Sequence, residues 1–161
     1  MKKRSTKKRA WAPGDVFAVP QRDGICSLGQ VITLMMQNVV SCAFYDIRVD
    51  CEVSSSGSEL PTSRLVSALS VSREQLDYGV WKIIGNQKVV LDEQLWPNEE
   101  FRANGWIGAR IYDATIAESL LNAFYGLIPW DRYKDPEYLD KLLAYPDRRP
   151  KNVVLSRPRS S

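Results

Sequence analysis

Between Val16 and Val49 the chain carries three apolar, β-branched runs in succession, with room for little more than a turn between neighbours. Gly14-Asp15 opens Val16-Phe17-Ala18-Val19, and Pro20 closes it. A short apolar segment bounded by turn residues reads as a buried strand. Asp23-Gly24 is a hairpin-type turn signal ahead of the second run, Ile25 to Met35. Gly29, in the middle of that run, predicts a bulge or a close backbone approach where a sheet must bend. Val39 to Val49, with Phe44 and Tyr45 beside Asp46, makes the third run. Three consecutive strands on short links predict a curled meander, and this restricts the fold more than any other stretch.

The remaining runs add to that sheet. Ser-Ser-Ser-Gly-Ser at 54–58 is too polar to pack and reads as a loop. Leu65 to Val71 predicts a fourth strand, Val80 to Ile84 another, stopped by Gly85-Asn86, and Ile107 to Tyr112 a further one. Ser72-Arg73-Glu74-Gln75 has capping-box spacing and predicts a short helical turn that Gly79 ends. Pro97 argues against one continuous helix through the acidic stretch around it. Ile116, Leu120, Leu121 and Phe124 recur on one helical face, with Asp113 or Thr115 as cap and Gly126 as stop. Asp135-Pro136-Glu137 ahead of Leu139, Leu142 and Leu143 predicts a second helix before Pro146, and Val153-Val154-Leu155 an edge strand. The expected class is α+β: a strongly bent antiparallel sheet or partial barrel with two C-terminal helices packed on it.

The 161 residues suit one domain that buries roughly two thirds of the surface its unfolded chain would expose. Charge marks its edges. Residues 1–9 hold six basic groups and residues 148–161 hold five, with no acid in either. Residues 10–147 keep the other 11 of the 22 basic groups against all 19 acidic ones, a net charge of −8. The expected layout is a basic flexible tail over 1–12, one globular domain over 13–147 and a basic tail over 148–161. An acidic body repels nucleic-acid phosphates and steers toward basic partners over roughly 8–10 Å at physiological salt. The basic ends are the only route to nucleic acid, as arms of a small barrel.

Much chemistry is excluded. Histidine is absent, which removes the usual general base near neutral pH, the commonest zinc ligand and the Ser-His and Cys-His nucleophile pairs. No glycine-rich phosphate loop and no calcium-loop pattern occurs. Asp92/Glu93 and Glu99/Glu100 would act as a carboxylate pair only in a pocket that drives their pKa values apart. No catalytic group, metal site or cofactor is expected. Cys26, Cys42 and Cys51 form no C-x-x-C pair and cannot all pair within one chain, so buried reduced thiols are expected. The longest apolar stretch, Val31 to Phe44, is interrupted by Thr33, Gln37, Asn38 and Ser41, short of the roughly 18–20 residues a membrane span needs. The basic start runs into Trp11, Pro13, Gly14 and Asp15 rather than an apolar segment, so export is not expected and a cytoplasmic location is.

Trp96, Trp106, Trp130, Tyr133 and Tyr138 lie in proline-, glycine- and acid-rich segments rather than in the strand runs. Aromatic rings flanked by carboxylates suit a basic protein partner: the rings supply desolvated area and the acids supply steering. Rings that merely fix loops onto the core are the alternative.

Gly14-Asp15-Val16-Phe17-Ala18-Val19-Pro20, then Asp23-Gly24, then Leu28-Gly29-Gln30-Val31-Ile32 resemble the start of the bacterial immunity protein 26 family. Phe44-Tyr45-Asp46 and Gly79 to Asn86 are similar to its later landmarks, so the resemblance covers roughly residues 14–112. It implies a protein encoded beside a polymorphic toxin, which it binds and blocks; a basic nuclease is one target that an acidic plug would fit. The candidate contacts are Asp92, Glu93, Trp96, Glu99 and Glu100 in the segment to Phe101, and Trp130, Asp131 and Tyr133 in a second loop.

Overall fold

The computed structural model describes residues 10–55 and 57–156. Six strands form one sheet: β1 (Asp15–Pro20), β2 (Ile25–Met36), β3 (Val39–Asp50), β4 (Leu65–Ser72), β5 (Lys82–Asn86) and β6 (Ile111–Tyr112). Their order is β5-β1-β2-β3-β4-β6. The three opening runs are the central meander, as their spacing predicts. Register shifts at Ser27/Gly29, Val31/Thr33 and Leu34/Met36 bend the long β2–β3 ladder, and the sheet curls without closing.

The sheet is mixed, which corrects the antiparallel expectation: β6 pairs parallel to β4 through Ser70–Ile111 and Val71–Tyr112. A parallel pair needs a crossover, and residues 73–110, with β5 among them, provide it. The chain leaves β5 at one edge and reaches β6 at the other, laying Leu91, Leu95 and Trp96 against one face of the sheet on the way.

Both faces are therefore covered. Strand alternation sends Phe17, Val19, Val40, Cys42 and Phe44 to one core and Val16, Ala18, Ala43 and Tyr45 to the other. In the first core Phe17 stacks on Trp81, with ring centroids 5.1 Å apart and planes 4° from parallel, and Phe44 meets both rings edge-on. Gly29 makes this possible. It sits opposite Phe17 in the ladder, and a Cβ on it would fall 2.4 Å from the Phe17 ring. The close approach expected at Gly29 is thus a ring lying on bare backbone.

The short helix α1 (Glu74–Asp77) forms where expected, but Ser72 does not cap it: its Oγ donates to Glu74 Oε1 and accepts the Ala114 amide. That amide begins α2 (Ala114–Phe124), whose N-terminus is capped by Asp113 through the Thr115 amide. Ala117, Leu120, Leu121 and Ala123 of α2 are buried in the first core, with Ile116 and Phe124 half-buried against it.

The second C-terminal helix does not form. Asp135 does cap the Glu137 amide, but the chain then continues as turns and one 3-10 turn, Asp140–Leu142. A helix confined to the short run before Pro146 is marginal on its own. Here the open edge of β4 claims the backbone instead: Ala144 N donates to Val66 O, and Ser67 Oγ donates to Leu142 O. Leu139, Leu142 and Leu143 still reach the core. Val153-Val154-Leu155 forms no strand; Val154 O accepts the Trp130 amide and Val153 packs on the core.

The ends of the body extend past the sequence-based boundaries. Trp11 is 2% exposed, and its Nε1 donates to Asp77 Oδ1. Arg148 donates to Thr62 O and Ser63 O, and Arg149 pairs with Asp140. The rest of the two basic tails, residues 1–9 and 157–161, lies outside the described residues.

One thiol expectation fails. Cys26 and Cys51 are joined in a disulfide, while Cys42 is free and buried. An odd count rules out a complete framework, not a single bond. Val49 faces Cys26 across the β2–β3 ladder, so Cys51, two residues on, arrives beside it on the same side.

Candidate protein-interaction surface

The crossover carries the acidic candidates as two 3-10 turns, Glu93–Leu95 and Glu99–Asn104, separated at Pro97. Asp92 caps the first by accepting the Gln94 amide. Asp92, Glu93 and Glu100 are exposed. Glu99 is half-buried in a two-bond pair with Arg102, both contacts at 2.8 Å, and that guanidinium holds its carboxyl below the ordinary carboxylate range. Trp96 is half-buried on the second core, its Nε1 donating to Leu91 O. Its ring fixes the loop while the carboxylates face outward.

The second candidate loop is different. Trp130 is 1% exposed and belongs to the first core, so it offers no area to a partner. Asp131 is 8% exposed and accepts both the amide and the hydroxyl of Ser156, which fastens the C-terminal strap. Tyr133 is half-buried against Tyr138, ring centroids 4.8 Å apart. The structure does not join the two segments into one patch: Trp96 packs on one core, Trp130 and Tyr133 on the other.

Residues 98–110 form a feature that the sequence pattern does not announce. Asn98 closes the base of this loop, with Arg110 N donating to its Oδ1 at 2.9 Å and its Nδ2 donating to Arg110 O at 2.8 Å. The same Nδ2 reaches Ser70 Oγ on β4, 2.8 Å away. Inside, Trp106 N donates to Phe101 O and Ala109 N to Trp106 O, and a Cβ on Gly108 would sit 3.0 Å from the Phe101 ring. A compact loop with close ends, packed by its own side chains, is a common carrier of function. Trp106 is held at φ +68°, which costs a non-glycine residue about 1–3 kcal/mol. At the tip stands Ile107, 79% exposed. Glycines at 105 and 108 bracketing Trp106-Ile107 are the one signal of such a loop; the apolar residues of the run outweigh them and point to strand.

A cleft of about 290 Å³ opens beside the acidic segment, between β4 and the Leu142–Ala144 strap, and Arg110, Lys141 and Tyr112 contribute to its walls. No aspartate or glutamate lines it. Among the described residues no group of three or more His, Cys, Asp or Glu could hold a metal ion, and no helix is long and apolar enough to cross a membrane.

The family model for Immunity protein 26 matches residues 12–108, more than half of the chain. The chain belongs to the immunity protein 26 family. Membership places it among the immunity proteins of toxin systems and implies a cognate toxin as partner. The family region runs from Ala12 through the meander, β4, α1 and β5 to Gly108, so it includes the acidic crossover and the Trp106-Ile107 tip and stops short of β6 and α2. No curated protein and no solved structure matches the chain.

Proposed function

We propose that this immunity protein neutralises its cognate toxin by binding the toxin domain and covering its working surface, without chemistry of its own. The observation that carries this reading is the family region's own acidic face: Asp92, Glu93 and Glu100 stand exposed on a segment anchored to the sheet by Trp96 and Leu95. Carboxylates on a fixed scaffold accelerate encounter with a basic surface and set its register, and they do so without a pocket. The toxin chemistry that fits is a basic cleft of the kind that holds nucleic acid, and a nuclease toxin is the proposed target class. The encounter is placed in the cytoplasm of the producing cell. Asp92 to Phe101 is the proposed contact segment, and Tyr133 is at most a rim residue.

Co-expression tests this. The chain is expected to relieve the growth arrest caused by the toxin domain encoded beside it and to co-purify with that domain. Unrelieved arrest together with absence of a complex contradicts the reading. Replacing Asp92, Glu93 and Glu100 by their amides is expected to weaken the complex and flatten its salt dependence while leaving the fold intact.

A further inference from the structure

Four apolar side chains near one another in sequence, Phe101, Trp106, Ile107 and Ile111, join neither core. Ile107 is the most exposed large apolar residue among those described. Exposed apolar residues scattered singly need no explanation, but this one stands on a loop built to hold it. Asn98 locks both ends of the loop and ties them to β4, and Phe101 fills the interior against Gly108. The Arg102 guanidinium lies 4.6 Å from the centre of the Trp106 ring while pairing with Glu99. The same arginine therefore fixes the ring and joins it to the acidic segment, where Glu93 also acts on its charge. A side chain presented by an ordered loop loses little conformational freedom when it binds.

We infer that the Asn98–Arg110 loop is the energetic centre of the toxin interface, with Trp106 and Ile107 entering an apolar notch in the toxin's basic face and Glu93, Glu99 and Glu100 forming the charged rim. The inference rests on the toxin-binding reading and adds to it the residues that hold the complex together. The occupant follows from charge. The stretch from 92 to 110, which contains the whole loop, carries four carboxylates against Arg102 and Arg110, within a body of net charge −8 over residues 10–147. A second copy of the same acidic chain would meet like charge on like charge at this face, and a nucleic-acid backbone would be repelled. A protein surface that is basic around an apolar notch satisfies both the rim and the tip. Interfaces concentrate their energy in such a pattern, a desolvated aromatic or aliphatic anchor surrounded by polar groups that exclude water.

Two variants separate binding from folding. Trp106→Gly removes the ring and places at φ +68° the residue that adopts this angle freely, so the fold is expected to keep or gain stability. Ile107→Ser alters a side chain that is 79% exposed. Val90→Ser changes another exposed apolar residue, outside the loop, and serves as the control. Affinity for the purified toxin domain encoded beside this chain is measured by calorimetry, with urea unfolding of each variant alongside. Trp106→Gly is expected to weaken binding roughly 30-fold and Ile107→Ser roughly tenfold, with Val90→Ser binding as wild type. If the wild type binds and both loop variants bind equally well, this inference is overturned and the toxin-binding reading survives. A loss in Val90→Ser equal to that in Ile107→Ser also overturns it. If the wild type itself does not bind, both fall.

Discussion

Cys26 and Cys51 lie 25 residues apart and become neighbours only through the pairing of β2 with β3. The bond closes that hairpin at the end away from its turn. Closing a loop of this length stabilises a fold by about 3–4 kcal/mol in the chain-entropy account. Protein denatured without reductant is therefore expected to titrate one thiol, Cys42, and three after reduction; three without reduction would contradict the bond. A cytoplasmic encounter adds a condition, because the glutathione pool opposes such bonds. Alkylating thiols inside cells before lysis reports whether the bond exists where the toxin is met. Buried acids of high pKa give a second expectation at this scale. Burial pushes the Tyr45 hydroxyl up to about 12 from an ordinary 10.0; it also raises the Cys42 thiol, and it raises Tyr125, to which Asp46 adds. The unfolded chain ionises first, so stability holds through neutral pH and falls as pH rises from about 9 toward 12, by about 2 kcal/mol for Tyr45 alone. Urea midpoints across that range check the sign: a flat profile contradicts it.

Among the elements, the meander was legible because its three runs alternate, are bounded by turn residues and need only local pairing. Gly29 was legible as an irregularity, though not as the seat of a ring. Its test is Gly29→Ala, which drives a methyl into Phe17 and is expected to cost about 1–3 kcal/mol, with Phe17→Leu in the same chain restoring part of the loss. Equal stability of Gly29→Ala and wild type would refute the packing described. The helix α2 was readable from its stripe and caps, because Asp113 and Gly126 stand where a helix of that length must begin and end. The run after Asp135 carried the same signals and failed to form a helix, since the vacant edge of β4 competes for its backbone, and an edge is a long-range fact that no local pattern contains. The strand expected over Ile107 to Tyr112 shrinks to β6 for a similar reason: only its last two residues lie beside β4. Asn98 belongs here too. Asn98→Ala removes the clasp between Arg110 and Ser70 and is expected to destabilise the fold by about 1–3 kcal/mol in urea unfolding, and to weaken toxin binding beyond that effect by loosening the loop.

For the molecule as a whole, charge could be read from the sequence and exposure could not. The acidic body and the clustering of Asp92, Glu93, Glu99 and Glu100 are visible in the residues alone. Which aromatics face solvent is decided by packing on the two sides of the sheet: Trp130 is buried in the core that α2 covers, while the crossover on the other side leaves Ile107 at a tip. A curled sheet with both faces covered leaves loops prominent for recognition, and the Trp106-Ile107 tip of the loop clasped by Asn98 lies inside the family region. On the proposed reading the molecule acts by occupying another protein's surface and by nothing else. Titrating the toxin domain's activity with the purified chain puts that to the proof. A straight fall to zero activity at equimolar ratio is expected, with the toxin recovered intact when the complex is dissociated. Full toxin activity in the presence of a large excess of the chain would contradict it.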